Sequence, residues 1–342
     1  MNSRERVIRA IEMRGPDRTP IMHDTLPGAF TRHGQALKRL YRRYPDDIVY
    51  VGSATYGEFG PQIGVPSRDP WGSLWVRETD EHKGQVVHCP LADWDALDAY
   101  QPPDTAGPEI IAAVARAIDG NAGRKYTLAD GDTLWQRMYY LHGFQAINED
   151  LLLKPDRCAR LRDLILEVIL RRLRRLAELD GLDGVHFRDD WGTQRSLLVS
   201  PARWRSFFKP AYRAMFEVVR RSGKHVWFHT DGVTDPILPD LIEIGAHVLN
   251  PQCNCMPRER LRSSIAGRAC LLGDLDRQWT LPRGTPDDVR AAVRADVDTY
   301  GSHHGGLIAR GEIAGDVPLE NVEAMLDEMT SYRGSLRPRS CG

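Results

Sequence analysis

The sequence predicts a closed (β/α)8 TIM barrel with a β-hairpin insertion between its second and third strands. Eight short apolar, β-branched runs recur along the chain, each followed by a stretch of helical periodicity. Strands alternating with helices imply a parallel sheet, and eight is the number that closes a barrel. The 342 residues fit one such barrel with an insertion, although at roughly 150 residues per domain they would also allow two domains. An open doubly wound sheet is the competing architecture. It usually carries a Gly-rich phosphate loop after its first strand, and Asp24-Thr25-Leu26-Pro27-Gly28 is not one.

An amphipathic segment, RERVIRAIEMRG, comes first and ends at Gly15 and Pro16. The strands are read at 19–24, 47–53, 125–132, 184–190, 225–232, 246–252, 269–276 and 306–312. Helix-like stretches lie at 155–180, 200–222, 234–245, 285–300 and 318–332. Ser200-Pro201 and Thr285-Pro286 each place a cap before a Pro in the first helical turn. The rhythm breaks between the second and third strands, over about 60–110, where LWVRET and GQVVHC flank Asp80, Glu81 and Gly84. That pattern reads as a β-hairpin over one barrel mouth, with a surface decoration as the equal alternative. Trp71, Trp75 and Trp94 in this stretch read as packing. The barrel domain spans 1–333, and 334–342 is read as a frayed tail.

With 42% hydrophobic and 27% charged residues, the chain is neither disordered, collagen-like nor a coiled coil. A net charge of −1 gives no global pull toward nucleic acid or an anionic membrane. There is no apolar run long enough to span a bilayer and no secretory leader pattern. The six cysteines show no framework spacing, so free thiols in a reducing cytoplasm are expected.

Chemistry in such a barrel sits at the carboxyl ends of the strands. In order, those ends offer Asp24; Ser53 and Glu58; Asp130 and Asp132; Asp189 and Asp190; His229 and Asp231; Gln252 with Cys253 and Cys255; Asp274 and Asp276; and Arg310 and Glu312. One such residue is a solvated loop side chain by default, but eight polar ends converge on one mouth. In HTDG at 229–232, His229 and Asp231 lie two apart on a strand and face the same side, so both could ligate one metal. Cys253 and Cys255 after the next strand could add soft ligands or could be small buried hydrophobes. Asp189 and Asp190 point to opposite faces. One of them could position a substrate or move a proton, and the other reading is a helix-capping or Arg-pairing carboxylate. Asp189, Asp190, Asp24 and Glu58 are therefore the catalytic candidates. Gln252, Gln194, Asp130 and Arg310 are the substrate-binding candidates.

From about residue 2 to 331 the chain resembles the uroporphyrinogen decarboxylase superfamily, in its decarboxylase-like and corrinoid-linked methyltransferase branch. The resemblance rests on SRERVIRAIEMRGPDRTPI, on DPWGSLW and VVHCPLADWDALDAYQPPD, and on GVHFRDDWGTQRSLLVSPARWRSFFKPAYRAM. It continues through GKHVWFHTDGVTDPILPDLIEIGAHVLNPQ, GDLDRQWTLPRGTPDDV and DVPLENVEAM. It implies a (β/α)8 barrel, in agreement with the strand count.

The departures bear on the reaction. Uroporphyrinogen decarboxylases carry an N-terminal Arg-rich signature of the type RQAGRYLPEY, whereas HDTLPGAFTRHG holds Arg32 alone. Uroporphyrinogen, an octacarboxylate, is therefore not the expected substrate. The metal-dependent methyltransferases carry His-x-Cys-Gly at strand five and a further Cys near strand eight. Here His229 and Gly232 are in place, Asp231 stands where that Cys would be, and Glu312 is nearest the later ligand. The resemblance implies a zinc site rebuilt from His229, Asp231 and Glu312, with Cys255 as a fourth candidate, or a site that is lost. Methyl transfer to or from a thiol, an oxygen or a corrinoid is the first expectation, with a small-molecule substrate and a corrinoid protein as candidate partners. A cofactor-free decarboxylase of a small substrate is the alternative, in which a carboxylate stabilises developing positive charge. A non-catalytic barrel binding a small molecule or a corrinoid protein is the third.

Overall fold

The computed structural model describes residues 1–52, 62–79 and 84–334. Ser53, Glu58, the Asp80-Glu81 turn and the tail from 335 onward lie outside the described residues. Eight strands form one parallel sheet: β1 (Ile21–Thr25), β2 (Ile48–Tyr50), β6 (Tyr126–Asp130), β7 (Gly184–Arg188), β8 (His225–Thr230), β9 (Val248–Pro251), β10 (Cys270–Leu272) and β11 (Leu307–Ile313). Their order is β1-β11-β10-β9-β8-β7-β6-β2, the cyclic order of a (β/α)8 barrel. Each strand falls on one of the runs picked out by composition. The helices Pro155–Ala177, Leu238–Glu243, Pro286–Tyr300 and Leu319–Ser331 fall where periodicity places them. Ser200 accepts from the Arg203 N–H, and Thr285 forms a full capping box with Asp288.

The seam between β1 and β2 carries little ladder. One backbone bond joins Asp47 N–H to the Ile21 carbonyl at 3.1 Å, and side chains supply the rest. Asp47 Oδ2 accepts from the Ile21 N–H at 2.9 Å, and Asp46 Oδ2 accepts from the His23 N–H at 3.2 Å. Arg6 and Arg18 converge on the fully buried Asp47 at 2.7 and 2.8 Å, so its charge is matched. The helix Ser3–Ile11 closes the amino end of the barrel, with Val7 and Ile11 packed on Met22, Leu128, Trp227 and Ile308. A second, larger apolar layer lies between the outer sheet face and the helices.

Where one hairpin is expected in the insertion, the structure has three short antiparallel strands. These are β3 (Ser67–Arg68), β4 (Leu74–Val76) and β5 (Gln85–His88), with β4 paired to both others. β3 is too short to leave a periodicity signal. Asp69 anchors the sheet, accepting from Trp75 Nε1 at 3.0 Å and Arg137 Nη1 at 3.1 Å on the helix Trp135–His142. Trp71, Trp75 and Trp94 are buried. Five described cysteines are free thiols, and no described helix is long and apolar enough to cross a membrane.

The amino face of the barrel holds a titrating pair. His225 and His247 lie with ring centroids 5.2 Å apart, and His247 Nδ1 accepts from the Val226 N–H at 2.9 Å. Burial, with His225 and Arg220 nearby, pushes His247 down to about 4. Its folded-state value lies below the unfolded one, so the unfolded chain takes up more protons on acidification. Its contribution to stability is therefore complete above about pH 6.5 and is lost as pH falls toward 4, at about 1.4 kcal/mol per pH unit at most. His247→Asn, which keeps an acceptor for Val226, is expected to remove that slope. Urea titrations of both proteins from pH 7 to 4.5 check it, as a stability difference that moves in favour of H247N on acidification.

Candidate active site

Alternation along the barrel strands builds the site. On the inner face each core residue is followed, two positions on, by a residue at the carboxyl mouth. Met22 leads to Asp24, Ile48 to Tyr50, Leu128 to Asp130 and His186 to Arg188. Trp227 leads to His229, Val248 to Asn250, Leu272 to Asp274 and Ile308 to Arg310. A dry layer thus carries a polar layer directly above it.

His229 is the best-oriented member of that layer. Its Nδ1 lies 2.7 Å from Asn250 Oδ1 on the neighbouring strand, where the two residues are register partners. The Asn250 amide is itself fixed, because its Nδ2 donates to the Leu272 carbonyl at 2.9 Å. Asn250 Oδ1 is therefore the acceptor, Nδ1 of His229 carries a proton, and Nε2 is the nitrogen that faces the mouth. Two carboxylate oxygens flank Nε2: Asp190 Oδ1 at 3.5 Å and Asp231 Oδ1 at 3.6 Å. The second oxygen of each carboxylate is occupied. Asp190 Oδ2 accepts from Gln136 Nε2 at 3.0 Å, and Asp231 Oδ2 from Arg277 Nη2 at 3.1 Å. One ligand atom from each of Asp190, His229 and Asp231 lies within 4.8 Å of the others, so the three could hold one metal ion. Burial and the Asp231 charge raise the Asp190 carboxyl, while His229 pulls it back.

Two loops are zipped together to make this cluster. Asp190 Oδ1 accepts from the Asp231 N–H at 3.1 Å, the Gly192 N–H donates to the Asp231 carbonyl at 3.0 Å, and the Val233 N–H to the Thr193 carbonyl at 2.8 Å. Gly232 sits at φ +81, where a Cβ would meet the Gly192 backbone at 2.3 Å. Only a glycine allows the two loops to approach so closely.

Asp189 takes the other role. Its buried carboxylate accepts from the backbone N–H groups of Leu134, Trp135 and Gln136 at 2.7, 3.1 and 2.8 Å, and from the Tyr212 hydroxyl at 2.7 Å. It caps the helix Trp135–His142 and does not face the mouth. Burial pushes its carboxyl up to about 7, while those four donors pull toward the ionised form. Of the two adjacent acids, Asp190 alone lies at the mouth beside His229.

The proposed metal partners Glu312 and Cys255 are also relocated. Glu312 Oε1 accepts from Arg277 Nη1 at 2.8 Å, so a guanidinium stands between Glu312 and Asp231 and keeps Glu312 out of the cluster. Cys255 Sγ is engaged by Gln194 Oε1 at 3.4 Å, and burial, with Asp231 and Asp274 nearby, raises that thiol. Gln194 is exposed. Gln252 is buried with Oε1 accepting from the Gly232 N–H at 3.1 Å, which makes it a loop brace. Asp130 Oδ1 accepts from the Asp132 N–H at 2.9 Å. Arg310 donates to Asp24 at 2.9 Å and to Asp274 at 2.9 Å. Burial alone would raise Asp24, but Arg310, with Arg188 and His229, overrides it and holds that carboxyl below its usual range. Glu58 lies outside the described residues.

Asn250, Arg277 and Tyr50 escaped the sequence reading. The period-2 rule applied one step further would have found Asn250 and Tyr50, which lie on the inner face rather than at the run's end. Arg277 lies beyond β10 in a loop, where no period applies.

A family model described as uroporphyrinogen decarboxylase (URO-D) matches residues 74–332. A uroporphyrinogen decarboxylase from Thermus thermophilus is 28% identical over 264 residues, covering 72% of this chain and 72% of its own length. One from Burkholderia mallei is 35% identical over 79 residues, covering 23% of this chain and 21% of its own. Among solved structures, a methyltransferase from Methanosarcina mazei superposes with a TM-score of 0.72 at 17% identity, over 96% of this chain and 98% of that one. At that identity the likeness is one of fold.

Proposed function

The chain belongs to the uroporphyrinogen decarboxylase family, and within it we propose a metal-dependent methyltransferase in which Asp190, His229 and Asp231 hold one zinc ion. The observation that carries this reading is His229, whose Nε2 faces two carboxylate oxygens while Asn250 holds the opposite ring nitrogen. That is the outer-shell arrangement by which metal-ligating histidines are oriented. One nitrogen and two oxygens are an ordinary donor set for zinc, and three protein ligands leave a position for substrate. Bound there, the ion would supply Lewis acidity that favours the deprotonated form of a thiol or an oxygen substrate.

The chain's own groups do the rest. Asn250 fixes the imidazole tautomer. Gln136 and Arg277 each occupy one oxygen of a ligand carboxylate and turn the other toward His229. Arg277 also offsets charge that would otherwise accumulate between Asp231 and Glu312. A methylated corrinoid would serve as co-substrate, giving up its methyl group and keeping the electron pair of the cobalt–carbon bond. A sulfur–carbon bond forms from the thiolate, and the thiol proton passes to solvent.

The test is loss of methylcobalamin absorbance in the presence of a small thiol and purified protein. Turnover is expected with zinc and not after chelation, and uroporphyrinogen under the same conditions is expected to yield no coproporphyrinogen. Equal rates with and without zinc, or ordinary porphyrinogen decarboxylation, would reject the reading. A cofactor-free decarboxylase is the second reading, favoured by Asp24, a carboxylate held ionised at the mouth and able to face developing positive charge.

A further inference from the structure

Glu312 shares a guanidinium with a carboxylate of the metal cluster. Arg277 Nη1 donates to Glu312 Oε1 at 2.8 Å and Nη2 to Asp231 Oδ2 at 3.1 Å, so the two acids sit on neighbouring nitrogens of one planar fork. The fork is held from behind. Asp276, the residue before it, accepts from the N–H groups of Gln278, Trp279 and Thr280 at 2.9, 3.1 and 3.3 Å, which fixes the turn that carries Arg277. The Glu312 side chain is only 17% exposed. A second cation, Arg310, comes to 3.7 Å from it but directs its hydrogen bonds to Asp24 and Asp274. The charges close in two sets: a dication with Asp190 and Asp231 is neutral, and so is Arg277 with Glu312. Without Arg277, Glu312 becomes a partly buried carboxylate that has lost its hydrogen-bonded cation, an arrangement that is costly until another cation replaces it.

We propose that Arg277 withholds Glu312 from the metal site, and so keeps the ion at three protein ligands with a position open to substrate. The inference rests on the metal reading of Asp190, His229 and Asp231. Four protein ligands make a closed, structural zinc site, and three make an open, catalytic one. Arg277 decides which of the two this chain has. An Arg277 that did no more than orient Asp231 would behave in the opposite way, because removing an orienting partner weakens metal binding about tenfold to a hundredfold. Removing a guard instead delivers a fourth ligand, the carboxylate of Glu312, and strengthens it.

The test measures zinc affinity by competitive-chelator titration, and zinc-edge X-ray absorption with and without 2-mercaptoethanol, on full-length wild type, Arg277→Met and the double variant R277M/E312Q. R277M is expected to bind zinc about tenfold or more tightly than the wild type, and the double variant to lose that gain. On addition of the thiol, the wild-type zinc should acquire a sulfur neighbour at about 2.3 Å, R277M should not, and R277M/E312Q should again. Weaker zinc binding by R277M, a gain that persists in the double variant, a thiol sulfur on the zinc of R277M, or none on that of the wild type overturns the proposal. Arg277→Gln, which keeps a donor for Asp231 without the charge, replaces R277M if that variant does not fold. Zinc held through Glu312 in R277M but absent from the wild type defeats the metal-dependent methyltransferase reading and leaves Arg277 as the group that withholds Glu312. Zinc in neither overturns both.

Discussion

His229→Ala is expected to remove zinc from the purified protein and to abolish zinc-dependent methyl transfer, leaving the barrel folded. Changes to groups that merely orient a metal ligand already cost about tenfold to a hundredfold in affinity, so loss of the ligand itself should cost at least about a hundredfold. The fold should survive because His229 stands above the dry layer. Trp227, two residues earlier, does the packing, whereas His229 contacts Asn250 and two half-exposed carboxylates. Elemental analysis, a competitive-chelator titration and a thermal melt check all three parts. Stoichiometric zinc in H229A would show that another set of residues holds the metal.

The adjacent acids should separate cleanly. Asp189→Ala strands three backbone N–H groups and the Tyr212 hydroxyl in a buried site, and the helix Trp135–His142 loses its cap. Unsatisfied buried donors cost about 1–3 kcal/mol each before relaxation, so a net loss of about 3–5 kcal/mol is expected in denaturant titrations. Asp190→Ala should cost only about 1 kcal/mol, because the bonds lost from the Asp231 N–H and Gln136 are partly exposed and removing the carboxylate relieves repulsion with Asp231. It should instead weaken zinc binding. A D189A protein as stable as wild type, or a D190A protein that unfolds, would reverse the two roles.

The barrel was legible because it rests on composition at short range. Each β-branched run is one strand, and Ser200 and Thr285 announce their helices through cap chemistry alone. The site was legible only in part. His229 and Asp231 follow from period-2 alternation, and Asp190 was one of two alternatives that alternation could not rank. Choosing between Asp189 and Asp190 needs to know where the helix Trp135–His142 begins, since its free N–H groups claim Asp189. Glu312 and Asp231 do lie on the same mouth, but no sequence rule says that Arg277, from a loop beyond β10, reaches between them. Cys255 is close in sequence to Gln252, yet its thiol is engaged by Gln194, whose loop is positioned by the Gly192–Gly232 contact.

The proposed ligand set at His229 is read most directly by X-ray absorption at the zinc edge of the reconstituted protein. One zinc per chain with only nitrogen and oxygen neighbours at about 2.0–2.2 Å is expected. A sulfur neighbour at about 2.3 Å would bring Cys255 into the site and contradict the assignment, as would a protein that takes up no zinc at all.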